Sequence, residues 1–265
     1  MSQDALAARL ADGANLSPKE RAGVRAAFAD DPVRALATFC PHGTGGGGPW
    51  RALSKAGAGC PWRPAASAAD AVVAAFGPLA VGMKSLVAAL AKRAVAVLAR
   101  REAGQWQLLY LVEVGGAKGE PWRLQPIVAG PPVAAPALSA AARAAGWALD
   151  ADLAAFYAVH DGFGPWGGES GWGVDAVLPA SQLEVLPAVI GYGGGAGKKP
   201  ILAKDGLLAF LIDSVGNRRG LYRQFSGGPV YKKAVDWDRF TKEVGMLQPP
   251  LKVIQAHFVA QLAGR

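Results

Sequence analysis

The chain is poor in the residues that usually do chemistry. Two cysteines in 265 residues exclude a disulfide framework. A closed structural zinc site needs four ligands. Cys40, His42 and Cys60 supply three with no fourth in register, so ordinary thiols are expected in preference to zinc or a disulfide, and no metal or cofactor is expected. Charged residues make up 18%, below the usual share of about 25%. Long unbroken hydrophobic runs are also missing. The longest uncharged run, Leu124 to Ala142, contains Pro126, Pro131, Pro132 and Pro136 and makes a poor spanning helix. The opening Met1-Ser2-Gln3-Asp4 has no basic n-region. A soluble, cytoplasmic protein without a membrane partner is expected.

What is present is a large apolar fraction, 51%, which excludes bulk disorder. The net charge of +8 is unevenly spread. Residues 1–103 hold 13 basic and 7 acidic groups, residues 104–197 hold 3 and 8, and residues 198–265 hold 12 and 5. Both ends are therefore basic around an acidic middle. A basic stretch can attract anionic partners or can simply be a solvated face.

The pattern along the chain predicts an α+β fold. Helices are expected at Ala5–Leu10, from Ser17 to about Ala29 behind a Ser17/Glu20 capping box with Pro18 at the first position, and at Val33–Phe39. Residues 41–67, rich in Gly and Pro, read as a long loop. Helix is expected again over 68–103, interrupted at Gly77-Pro78 and stopped at Gly104. A hairpin follows over 105–128. A linker near Ala129–Pro136 separates a mainly helical region, 1–135, from a second domain, 136–265.

In the second domain Ser139 is expected to cap one helix and Asp150 or Asp152 another. Strands are expected at 174–178, 207–213, 219–225 and 229–234, with a turn of helix from Pro179 through Leu186. Asp236 or Asp238 is expected to cap a helix containing Trp237 and Phe240, and Leu251–Leu262 closes the chain as a helix. Gly193 to Lys199 only superficially matches a phosphate loop: Lys199 stands where Ser or Thr should hold magnesium, and Pro200 follows. His160 and Asp161 are adjacent, and neighbours on a helix do not face each other. Phe163, Trp166 and Trp172, in and beside a glycine-rich loop, are either interface anchors or plugs of the core beneath it.

One stretch goes beyond composition. Leu153-Ala154-Ala155-Phe156-Tyr157-Ala158-Val159-His160-Asp161-Gly162 is a helix ending in His-Asp-Gly, followed by a Gly/Trp-rich loop and by Val177-Leu178-Pro179-Ala180-Ser181-Gln182-Leu183. It resembles the SUKH superfamily, shared by a yeast cell-wall-assembly regulator and many bacterial toxin-immunity proteins. Residues 201–217 and 237–244 are similar to that family's later strands and closing helix. The resemblance spans roughly residues 140–262 and implies one mostly antiparallel sheet flanked by helices.

For function, the resemblance implies a non-enzymatic domain that binds another protein, most concretely an immunity protein that neutralises a bacterial toxin stoichiometrically. Phe163, Trp166 and Trp172, with Arg218, Arg219 and Arg223, are then the expected partner-binding residues. Phe156, Tyr157, His160, Asp161, Gly162, Leu178 and Pro179 are expected to be structural: Gly162 ending the helix, Asp161 holding turn amides and Pro179 opening the next helix. The oligomeric state is left open. Two other roles remain: a scaffold in a larger assembly, or nucleic-acid binding through the basic ends, where Trp50-Arg51, Trp62-Arg63 and Tyr222-Arg223 interleave rings and cations.

Overall fold

A computed structural model describes residues 2–41, 49–116, 121–144, 146–165, 175–192, 200–213, 217–222, 234–237 and 248–263. Among them lie eight α-helices and ten strands, and the strand pairing is mostly antiparallel. The chain is an α+β protein. It divides into two compact units: Met1–Pro131 with 165–171 and 257–265, and Pro132–Gly164 with 172–256. The main division lies a few residues before the boundary read at 135/136. The assignment of 165–171 and 257–265 to the first unit has no sequence signal.

Unit 1 begins with helices α1 (Gln3–Ala11), α2 (Pro18–Asp30) and α3 (Pro32–Phe39). Ser17 caps α2: its hydroxyl accepts from the Glu20 amide and the Glu20 carboxylate accepts from the Ser17 amide. Asp31 caps α3 through the amides of Val33 and Arg34. Strand β1 (Arg51–Ala52) follows, then α4 (Ala68–Phe76), α5 (Lys84–Arg93), β2 (Ala94–Glu102), β3 (Gln105–Val114) and β4 (Arg123–Gly130). The strands lie in the order β1-β2-β3-β4. Helices α2 and α4 pack on β2, and α5 packs on β3. Consecutive residues Leu108 to Val114 of β3 are all buried, so this strand is covered on both faces. Arg25 clamps Glu113 at its end with two hydrogen bonds of 2.5 and 2.6 Å.

The helix expected to continue to residue 103 is corrected: it stops at Arg93, and Ala94 passes directly into β2. Ala, Leu and Arg are good helix formers, but residues 94–102 pair along β3 through Glu102↔Gln105. The turn that joins them is Ala103-Gly104, both with positive φ (47° and 83°), the geometry that matches strand twist. Gly104 is therefore a hairpin residue and not a helix stop. The stretch read as a loop over 41–67 contains β1 and a short 3-10 turn, Leu53–Lys55, and buries Trp50 and Trp62.

Unit 2 contains α6 (Ala135–Ala144), α7 (Ala151–Tyr157), β5 (Asp161–Pro165), β6 (Ala176–Val177), β7 (Glu184–Tyr192), β8 (Pro200–Ile212), β9 (Arg218–Tyr222) and β10 (Ala234–Trp237). Helix α8 (Pro250–Leu262) closes the chain. Strand β8 organises the sheet. Along one edge it pairs first with β7, over Pro200 to Ala209, and then with β6, at Leu211 and Ile212. The Leu178 amide donates to the Phe210 carbonyl at 2.8 Å where one partner gives way to the other. The opposite edge carries β9, which carries β10.

Several expectations are corrected in this unit. Ser139 sits inside α6 and does not cap it. The turn of helix expected through Leu186 is a 3-10 turn, Ala180–Gln182, because Glu184 onward is needed to pair β8. Pro187 falls at a register shift between Leu186 and Ala188, where a missing amide is tolerated. Asp236 and Trp237 lie in β10 and not in a helix. Phe240, Asp238 and residues 193–199 lie outside the described residues.

The Ala103 conformation yields the first prediction. An L-residue with positive φ is strained by about 1–2 kcal/mol. Ala103→Gly is expected to stabilise the chain by about 1 kcal/mol, the strain relieved outweighing the added entropy of the unfolded chain. Urea denaturation of the two proteins should show the higher midpoint in the variant; a lower one contradicts the turn geometry.

Candidate functional site

The segment from α7 to the 3-10 turn brings together the residues of the His-Asp-Gly motif. Asp150 caps α7 through the Asp152 and Leu153 amides, which fixes the helix start. The helix then turns Phe156 and Tyr157 inward, both with no exposed surface. Phe156 is the centre of a ring cluster. Tyr157, His160 and Phe163 meet it at 6.0, 6.2 and 6.5 Å between centroids, all edge-on. His160 stacks on Phe163 at 5.7 Å. Such edge-on pairs add to the burial they come with.

The polar groups of the motif bond to backbone. The Tyr157 hydroxyl donates to the Leu178 carbonyl at 2.7 Å. Burial, then the Asp161 charge, push that phenol well above its ordinary pKa, so it stays a donor. The Asp161 carboxylate accepts from the Ala180 amide at 2.7 Å. Burial raises the Asp161 pKa, and the Ala180 amide partly offsets the rise. The Tyr157 carbonyl accepts from the Val133 amide at 2.8 Å.

The structural roles differ in detail from those read in the sequence. Gly162 does take a left-handed φ of 79°, but it lies within β5, since α7 ends at Tyr157. Asp161 bonds an amide nineteen residues away rather than its own turn. Pro179 precedes the 3-10 turn and opens no longer helix. Leu178 is buried beside it. Gly164, which carried no expectation, is required by packing: a Cβ there would lie 2.5 Å from the Ala176 Cβ on β6.

His160 is fully buried, and burial drives its pKa down to about 3. Its imidazole is therefore neutral and sealed among rings. The reading of His160 as part of the helix end is corrected, because it lies beyond α7 and inside the core.

The six expected partner-binding residues do not form one described surface. Phe163 has no exposure and pairs with Val177 of β6, so it is a core plug and not an anchor. Arg218 is tied to Glu184 of β7 at 2.8 Å and is partly buried. Arg219 is partly exposed and stands opposite Asp236 in the β9–β10 register. Trp166, Trp172 and Arg223 lie outside the described residues. Neither cysteine is paired; burial pushes the Cys40 thiol up to about 12, which makes it a poor nucleophile. His42 lies outside the described residues, among which no three His, Cys, Asp or Glu side chains gather as metal ligands. No described helix is long and apolar enough to cross a membrane.

A recess that sequence reasoning missed lies between α6 and α7. It has a volume of about 400 Å³ and a largely apolar lining that includes Leu138, Trp147, Leu149, Ala154 and Ala158. Small residues on α7 leave the space, and Arg143 is the charged residue of the lining. The Arg143 Nε donates to the Ser139 carbonyl at 3.1 Å, which steadies the side chain on its own helix. The signal in the sequence was the run of alanines over 135–148, which reads as helix without saying which side is open.

Two predictions follow from the core. Tyr157→Phe leaves the Leu178 carbonyl buried and unsatisfied, at a cost of about 1–3 kcal/mol by urea denaturation. His160 gives a pH dependence of known sign. Its folded pKa is depressed from 6.5 to about 3. Its contribution is thus fully present above pH 6.5 and is lost as pH falls toward 3, by at most about 1.4 kcal/mol per unit. Asp161, with its raised pKa, works in the opposite sense. The informative quantity is therefore the difference between the parent and His160→Leu, measured at pH 7, 6 and 5. The parent should lose more stability on acidification, and parallel curves would contradict burial of the imidazole.

Comparison of the chain with protein families, with curated proteins and with solved structures returns no match.

Proposed function

We propose that unit 2 is a SUKH-like domain that acts by binding another protein, and that it serves as an immunity protein holding a bacterial toxin in a stoichiometric complex. The observation that carries this reading is the use made of the motif. Tyr157 and Asp161 are committed to the backbone of Leu178 and Ala180, and His160 is enclosed by Phe156 and Phe163. The motif therefore supports a scaffold, and function falls to the surface the scaffold displays.

The α6–α7 recess offers such a surface. Its apolar walls suit an aliphatic or aromatic side chain of the partner, and Arg143 at the lining suits a neighbouring carboxylate. Arg219 on β9, Trp166, Trp172 and Arg223 remain the other residues proposed for partner contact.

Co-expression with toxins encoded beside this chain's gene provides the test. Growth protection and a one-to-one complex on size exclusion are expected from the parent. Ala158→Glu and Arg143→Glu change exposed residues of the recess and should abolish both while leaving the thermal midpoint in place. A well-folded parent that protects against none of these toxins and retains none of them contradicts the reading.

A further inference from the structure

A second feature lies in unit 1 and is independent of the reading of unit 2. Strand β2 pairs with β3 from Ala94 to Glu102, but on its other side β1 covers only Leu98 and Ala99. A strand offers alternate amides and carbonyls to each neighbour. The Ala94 amide closes α5 on the Leu90 carbonyl. No other described group outside β3 hydrogen-bonds to the backbone of residues 94–97. The register also shifts at Val95: Ala94 pairs with Val112 and Ala96 with Leu111, so Val95 stands without a partner on β3 as well.

The register shows why this edge is open. Arg51 and Ala52 stand opposite Ala99 and Leu98, so a straight continuation of β1 would bring residues 53–55 opposite 97–95. The chain instead turns away as the 3-10 helix Leu53–Lys55. A cavity of about 560 Å³ is lined by both segments, 52–55 and 94–97. Successive strand residues face opposite ways, so four in a row line one cavity where it meets the strand along its edge. The end of α2 and residues 65–69, which lead into α4, form the remaining walls, and the wall residues are mostly alanine.

We infer that this edge binds an extended peptide segment of a partner protein, added to β2 in line with β1, in the place that residues 53–55 leave vacant. In such strand addition the main chain supplies the affinity and the side-chain spaces supply the selection. Shared among four residues, the cavity holds small side chains such as alanine, serine and valine. Asp30 and Lys55 are the charged residues of the lining, both are exposed, and neither has an ion pair among the described residues. A peptide with small residues between one cation and one carboxylate complements them. A second copy of the chain is the less suitable occupant. Only four residues are free, between β1 at Leu98 and α5 at Arg93, and the walls recess them from another folded sheet.

Fluorescence anisotropy on the full chain tests the inference, with two labelled peptides as probes, Lys-Ala-Val-Ser-Ala-Glu and Glu-Ala-Val-Ser-Ala-Lys, blocked at both ends. Saturable one-to-one binding of at least one is expected, with slower hydrogen exchange at the amides of residues 95–97. Methylating the backbone nitrogens of the peptide removes its donors and should abolish binding. Ser54 and Ala66 are exposed residues of the lining. Ser54→Trp and Ala66→Trp fill the space and should each weaken binding about tenfold or more, without moving the peptide-free thermal midpoint. Absence of binding by both peptides overturns the inference. So does binding that survives methylation or both substitutions, or a peptide-free dimer that Ser54→Trp dissociates.

Discussion

Tyr157 and Asp161 grip one short length of backbone from two positions, and the architecture of unit 2 depends on that grip. The hydroxyl takes the Leu178 carbonyl and the carboxylate takes the Ala180 amide. Between those points Leu178 also gives its amide to Phe210 of β8. The segment leaving β6 is therefore bonded on both sides, and β7 starts from a fixed place. An unpaired polar group at this depth would cost more than the bond itself contributes, so the three contacts act as a constraint on chain path more than as a sum of attractions. The ring cluster around Phe156 supplies the apolar burial, and the polar contacts decide which path buries it.

The same division of labour appears in unit 1 with charges in place of hydroxyls. Arg25 and Glu113 close the end of the central strand, while Arg9 and Glu20 join the first two helices. These pairs are balanced, one cation to one carboxylate. On β2 the charges alternate between faces: Arg100 pairs with Glu102 on one, and Arg101, with Arg51 opposite Ala99, stands on the other. The buried Arg100 guanidinium is supported further by a ring and an amide, Trp50 and Gln107. Several of the cations of residues 1–103 are thus engaged in ion pairs, and the segment is not an evenly solvated face.

Much of the helical framework was legible because local chemistry writes it. Ser17 with Glu20, and Asp150 with the amides after it, bond their own backbone and need no tertiary partner. Strands β3, β8 and β9 were legible from their apolar content. Strand β2 was not, because its alanines, leucine and arginines favour helix, and only pairing with β3 across Ala103-Gly104 makes it a strand. The start of β7 was hidden for the same reason. Phe163 was ambiguous in sequence because a ring beside glycines reads equally well as anchor or plug; the stacking with His160 resolves it. The α6–α7 recess was illegible, since it is made by side chains whose spacing along the chain says nothing about the gap between them.

Strand β8 serves two neighbours in succession on one side and a third on the other. Adding or deleting a single residue within a regularly paired stretch of it would turn its side chains over there, whereas the register shifts over 203–207 and 209–211 already take up extra residues. Length variation is thus barred from the regularly paired stretches of this strand and directed to its register shifts and to the connections between strands. Within a set of related chains, gaps should accordingly fall between β5 and β6, between β7 and β8 or at those shifts, and the regularly paired stretches of β8 should run ungapped.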